Sequence, residues 1–384
     1  MGADLNSGCD GELFSLANTG IQSLHPYLPG KPVSELEREL GISNIIKLAS
    51  NENPLGPAES VMRAIRDELP ELTRYPDGNA FELKQALAEH HNIELDCITI
   101  GNGSNDILEL ITRVFLKSGC NAVFSEHAFA VYPIATQAAG GESVIVPANP
   151  ADHVMPYGHD LDGFLKAIND DTRIVFVANP NNPTGTWLPR DELYNFIKSV
   201  PSKVVVVVDE AYFDYVGEED YPDATQWLNE FPNLLVTRTF SKAYGLAALR
   251  VGYGLASAEL TDLMNRVRQP FNVNQLAQVA ALAALKNQDY INQSVALNQV
   301  GYDHIVAEIT ELGYSFIPSV GNFICIDAGV SGSELFPALL KKGVIVRPID
   351  NYKLPQYFRV TIGTAAENDK FIEALKQSVQ ECSG

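Results

Sequence analysis

The sequence predicts a large doubly wound α/β domain with a mostly parallel sheet, joined to a smaller α+β domain. Three observations carry this. At 384 residues the chain exceeds one hydrophobic core of ordinary size. Its middle alternates short apolar runs with stretches of helical spacing. Its last third changes to long helical stretches followed by a few short strands.

Taken in order, residues 1–24 form an N-terminal arm, polar and acidic. Residues 25–55 carry several Pro and Gly and join the small domain. The large domain covers 56–268. It opens on a short apolar strand, 97–100, and a helix with Ile107, Leu108, Ile111, Val114 and Phe115 on one face. Further strands are expected at 121–125, 142–146, 173–178, 203–209 and 233–239. The unbroken valine run 204–208 is the clearest, because a strand covered on both faces of a parallel sheet needs no polar side. Helical spacing fills 129–139 and 189–200 between them. Residues 269–384 complete the small domain, with strands near 322–327, 344–346 and 358–362. Thr364 and Glu367 form a capping box for a last helix with Phe371, Ile372, Leu375 and Val379 on one face.

Composition excludes several classes of function. A net charge of −21 repels nucleic acid and anionic membranes, which bind through clustered Lys and Arg. The first twenty residues hold no apolar stretch of signal-peptide length, and no run in the chain approaches about eighteen apolar residues, so a cytoplasmic protein is expected. Five scattered cysteines without CxxC spacing support neither a disulfide framework nor a zinc site, and no metal is expected. The seven histidines read as structural or surface residues.

Four segments carry chemistry. Gly101-Asn102-Gly103-Ser104-Asn105-Asp106 lies between a strand and a helix, where backbone N–H groups and the helix dipole favour an anion. Ser104 either caps the helix or offers its hydroxyl to a phosphate. Asn179-Pro180-Asn181-Asn182-Pro183-Thr184-Gly185 follows a buried strand, where α/β enzymes place ligand loops. Asp209 ends the valine strand, loses solvation there, and needs a cationic or hydrogen-bonding partner; Tyr212 stands within reach of the same ligand. Lys242 follows the next strand, between hydroxyl residues and near Arg250. A lysine enclosed beside other cations has a lowered pKa and forms Schiff bases.

In order and approximate spacing, the series GNGSND, NPNNPTG, DEAY and TFSKAYGLAALRVG resembles the fold-type I aminotransferases that use pyridoxal 5′-phosphate. With NENPLGP and RYPDG near the start and FRVTIGT near the end, the chain is similar to the histidinol-phosphate aminotransferase family from about His25 onward. The resemblance implies roles at matching positions. Lys242 holds the cofactor and moves the substrate's Cα proton. Asp209 pairs with the ring nitrogen, and Asn182 and Tyr212 bind the ring's phenolic oxygen. Phe129 stacks on the ring, where many relatives have tyrosine. Gly103, Ser104, Asn105, Thr239, Ser241 and Arg250 hold the phosphate. Tyr75 reaches the phosphate in a neighbouring subunit, which implies a homodimer. Tyr27, Arg347 and Arg359 serve the substrate. L-histidinol phosphate is the implied amino donor and 2-oxoglutarate the acceptor. An aromatic amino-acid aminotransferase, a threonine-phosphate decarboxylase and a ligand-sensing domain without turnover share much of the same series and stay open at this point.

Overall fold

A computed structural model describes residues 11–27 and 30–383 of the chain. Residues 1–10 of the expected N-terminal arm, with Cys9, lie outside the described residues. The rest of the arm holds two short helices, Glu12–Leu16 and Thr19–Gln22.

The large sheet has seven strands: β1 (Ile98–Gly101), β2 (Asn121–Ser125), β3 (Glu142–Val146), β4 (Thr172–Ala178), β5 (Val205–Asp209), β6 (Leu234–Thr239) and β7 (Gly252–Ala256). Their spatial order is β1-β7-β6-β5-β4-β2-β3. Pairings from β6 across to β3 are parallel, and β7 runs antiparallel to both β1 and β6. Apolar clusters cover both faces of the sheet. Val206 and Val208 belong to one and Val205 and Val207 to the other, so the alternation of a strand sends every valine of the run into a core. Helices α1 (Ser104–Phe115) and α2 (Val131–Ala138) lie against the second cluster.

The small domain is built on an antiparallel sheet of β8 (Ser315–Ile317), β9 (Phe323–Asp327), β10 (Arg347–Pro348) and β11 (Phe358–Thr361), in the order β10-β11-β9-β8. Ile46–Lys47 pairs in parallel with Val344–Ile345, which ties the N-terminal segment to this domain. The capping box forms: the Thr364 backbone N–H donates to Glu367 Oε2 at 2.8 Å, and the Glu367 N–H returns to Thr364 Oγ1 at 3.4 Å. It starts α4 (Ala365–Ser383), which buries Phe371, Ile372 and Leu375.

The division of the chain differs from the sequence expectation at one point. Sequence spacing ends the large domain at 268. The helix Gln275–Leu285, however, buries Ala277, Ala280, Ala281 and Ala284 in the large domain's cluster. The crossing is made by the next helix, α3 (Gln288–Glu311). Ile291 near its start packs in the large core, while Ile305 and Ile309 near its end pack in the small one. At about 1.5 Å per residue, its 24 residues are long enough to span both. Among the described residues, no helix is long and apolar enough to cross a membrane.

Candidate active site

A cavity opens at the C-terminal ends of β4, β5 and β6, where the small domain meets the large one. Each strand delivers its loop to the same place. Asn182 comes from the loop after β4, Asp209 from the last position of β5, and Thr239, Ser241 and Lys242 from the end of β6 and the turn beyond it. Ser104 and Asn105 come from the start of α1, and Phe129 precedes α2. Arg250, Tyr212, Tyr27, Arg347 and Arg359 line it as well.

Asp209 and Glu210 are consecutive carboxylates held apart by strand alternation. Asp209 faces the cavity, where Oδ2 accepts from the Tyr132 hydroxyl at 2.8 Å and Oδ1 from Thr237 Oγ1 at 3.0 Å. Burial raises its pKa, and those two hydrogen bonds oppose the rise. Glu210 is paired with Arg238, whose Nη2 lies 2.7 Å from its carboxylate and 2.7 Å from Asp223. Burial lifts Glu210 to about 7 even so. The Arg238 guanidinium also sits 3.5 Å above the Phe213 ring.

Lys242 Nζ donates to the Ser50 carbonyl at 3.2 Å. Its pKa falls to about 7, first through loss of solvation and then through the charge of Arg359. A neutral amine is therefore available near neutral pH, which a surface lysine would not provide.

Arg359 binds back into the protein on two sides. Nη1 donates to Asn182 Oδ1, and Nη2 donates to the Ala49 carbonyl at 2.9 Å. Its Nε is buried without a hydrogen-bond partner among the described residues. The Arg347 guanidinium lies 5.8 Å from the centre of the Tyr27 ring. Three arginines, Lys242 and one carboxylate of the expected set therefore surround this cavity, in a chain whose net charge is −21. The pocket is locally positive against the global field.

At one end of the cavity a helix start, a hydroxyl and a guanidinium meet. Gly103, with φ of 77°, is the N-cap of α1, so the sequence's option of Ser104 as the cap is not taken; Ser104 is the first helical residue. A methyl group added at Gly103 would lie 2.6 Å from Arg250 Nη2, and one at Gly252 would lie 2.5 Å from the Ser104 nitrogen. Arg250 Nη1 donates to Ser241 Oγ at 3.4 Å. Glycine at both positions lets a helix start, a hydroxyl and a guanidinium converge without side chains between them.

Tyr75 is not brought to this cavity. It is 82% exposed, and its ring stacks on Phe271 with centres 4.9 Å apart. Exposed Leu69 and Leu72 precede it in the same segment.

Sequence reasoning missed residues that shape the site from behind. Tyr132 follows Phe129 by three positions, so helical spacing offered a signal that the segment reaches the site twice. Asn51 stands inside the NENPLGP motif, and its Nδ2 donates to the Tyr212 hydroxyl at 2.8 Å. Tyr352 also lines the cavity, from a segment with no motif. Two buried histidines have structural partners near the site: His127 Nδ1 donates to the Tyr352 carbonyl at 2.7 Å and His159 Nε2 to that of Ala178 at 2.8 Å.

The family model for aminotransferase class I and II matches residues 43–375. A histidinol-phosphate aminotransferase of Pseudomonas fluorescens is 57% identical over 95% of this chain and 98% of its own. One from Pseudomonas aeruginosa is 56% identical over 95% and 98%. The crystal structure of histidinol-phosphate aminotransferase from Sinorhizobium meliloti in complex with pyridoxal-5′-phosphate superimposes with a TM-score of 0.86 at 30% identity, covering 96% of this chain and 98% of that one. By this sequence match and this shared fold, the chain belongs to the class I and II aminotransferases, in the family of the histidinol-phosphate aminotransferases.

Proposed function

We propose that the protein transfers the amino group of L-histidinol phosphate to 2-oxoglutarate, giving imidazole-acetol phosphate and L-glutamate, with pyridoxal 5′-phosphate as its cofactor. The observation that carries this reading is one cavity lined by the Lys242 amine, the buried Asp209 carboxylate and three arginines.

The residues present fit the cofactor. The glycine-lined cradle beside Ser104, Ser241 and Arg250 suits its phosphate. Asp209 lies deep enough to pair with a protonated ring nitrogen, and burial makes that pairing strong. When bound, the cofactor supplies an electron sink for the pair left on the substrate Cα as its proton departs. Asp209, held by Tyr132 and Thr237, would keep a proton on the ring nitrogen. Phe129, which lines the cavity, would offer its ring for the cofactor to stack on. Asn182 and Tyr212 address the phenolic oxygen. Lys242 would be the attachment amine, and its Nζ, facing the substrate's Cα–H, would be the base that takes that proton. A pKa lowered to about 7 would leave a neutral amine available for that step near neutral pH.

Tyr27, Arg347 and Arg359 bind the substrate's anionic end. A guanidinium presents a fork that suits a phosphate and a carboxylate alike, so one cationic site serves histidinol phosphate in one half-reaction and the dicarboxylate in the other. Tyr75, exposed beside Leu69 and Leu72, reaches the cofactor phosphate of a second copy, so the working enzyme is a homodimer.

The test is a spectral titration of the cofactor-loaded protein with single amino donors and no keto acid. L-histidinol phosphate is expected to bleach the visible band at low concentration, and L-phenylalanine and L-threonine phosphate are expected not to. A preference for phenylalanine would overturn the substrate assignment and move Arg359 to an α-carboxylate.

A further inference from the structure

Asn51 has a left-handed backbone, with φ of 56°, and is buried at the wall of the cavity. Asparagine tolerates that conformation better than most residues. All four of its polar groups have partners from distant parts of the chain. Its backbone N–H donates to Thr361 Oγ1 at 2.9 Å. The Thr361 hydroxyl donates in turn to Asn51 Oδ1 at 3.2 Å. Its Nδ2 donates to the Tyr212 hydroxyl at 2.8 Å. Asn322 Nδ2 fixes the backbone from the other side, donating to the Asn51 carbonyl at 3.0 Å.

Thr361 Oγ1 accepts from the backbone N–H of Asn51 and gives its own proton to Oδ1. With Oδ1 accepting, the amide nitrogen is the end that faces Tyr212. A phenol oxygen that accepts from an amide keeps its own proton to donate elsewhere. Tyr212 lines the cavity, so its proton is left for an acceptor there.

We infer that Asn51 and Thr361 are positioning residues that set the direction of the Tyr212 proton, so that Tyr212 donates to the phenolic oxygen of the cofactor. This rests on the proposed role of Tyr212. The structural consequence reaches further: Thr361 lies on β11, two residues after Arg359. The strand that carries a substrate arginine also carries the hydroxyl that orients a cofactor-side donor.

A donor on the phenolic oxygen withdraws electron density from the end of the cofactor that binds the titrating proton. It therefore lowers the pH at which the visible band of the loaded enzyme titrates. Asn51→Asp places an anionic acceptor opposite Tyr212, reverses the chain, and turns the tyrosine proton away from the cavity. Thr361→Val removes the hydroxyl at nearly constant volume and frees the amide to turn. Each variant is expected to raise the band's pH midpoint by about one unit, the effect of losing one hydrogen bond to the deprotonated form. Thr361→Ser keeps the hydroxyl and is expected to leave the midpoint where it is.

The experiment is a pH titration of the visible absorbance of the cofactor-loaded protein for these three variants and Tyr212→Phe. Raised midpoints for Tyr212→Phe, Asn51→Asp and Thr361→Val, with none for Thr361→Ser, support the inference. A raised midpoint for Tyr212→Phe with unmoved midpoints for Asn51→Asp and Thr361→Val would overturn the positioning role and leave Tyr212 in place. An unmoved midpoint for Tyr212→Phe would overturn the role of Tyr212 itself, and with it the inference. If Asn51→Asp does not fold, Thr361→Val against Thr361→Ser decides by the same readout.

Discussion

Replacing Lys242 by methionine is expected to make the cofactor-free protein more stable, and by an amount that depends on pH. In the folded state the Lys242 amine has a pKa of about 7, against an ordinary value of 10.5. The unfolded chain therefore binds more protons than the folded one between about pH 7 and 10.5, and in that window stability rises with pH. Below pH 7 both states are protonated, and the folded state carries the full cost of enclosing an ammonium beside Arg359 and Arg250. The difference of about 3.5 units corresponds to roughly 4–5 kcal/mol at about 1.36 kcal/mol per unit. Because the lysine borders an open cavity, solvent screens part of that cost, and about 2–3 kcal/mol remains. Methionine fills a similar volume, carries no charge, and gives up the bond to the Ser50 carbonyl, worth about 1 kcal/mol, and the charged contact with the Tyr212 ring. Urea denaturation followed by circular dichroism, at fixed protein concentration and from pH 6 to 10, measures the difference. The variant should unfold at higher urea by about 1–2 kcal/mol near pH 6, with the advantage fading as pH rises toward 10. A variant no more stable than the parent at pH 6, or a difference flat across the range, would refute the reasoning, because it would mean that the folded site does not penalise the charged amine.

Three other outcomes follow from the same geometry. Tyr132→Phe removes the 2.8 Å donor from Asp209 and leaves burial less opposed; kcat is expected to fall about tenfold with the cofactor still bound, as read by steady-state kinetics and retained visible absorbance. Arg238→Met strands the Glu210 carboxylate in the core, and thermal unfolding is expected to show a loss of about 3–5 kcal/mol. Arg359→Lys replaces a fork with a point charge and lets go of Asn182 or Ala49; kcat/KM for the amino donor is expected to fall roughly 10–100-fold, mainly through KM.

Much of the fold was legible because its signals are local. The valine run before Asp209 needs cover on both faces, and the structure gives it two apolar clusters. The capping box at Thr364 marks its helix start within one residue. What was illegible concerns which surfaces meet. Helical spacing shows that Gln275–Leu285 is apolar and helical, yet not which of two cores it enters, so the sequence gives the small domain a helix that packs in the large one. The cavity's lining was readable where a strand end or a glycine-rich turn points to it, as at Asp209, Lys242 and Ser104. Asn51 and Thr361 were hidden for a different reason. They are 310 positions apart, and their part in the site lies in the direction of hydrogen bonds, which no spacing along the chain records. Tyr132 is intermediate: its position follows from Phe129, but its partner Asp209 is 77 residues away.

The central claim is that Lys242 is the amine that holds the cofactor. Borohydride reduction of the loaded protein, followed by proteolysis and peptide mass spectrometry, tests it most directly. A pyridoxyl mass is expected on the peptide carrying Lys242, with none on that peptide after Lys242→Met. A stable adduct on a different lysine, or a visible band in the Lys242→Met protein that reduction fixes elsewhere, would contradict it.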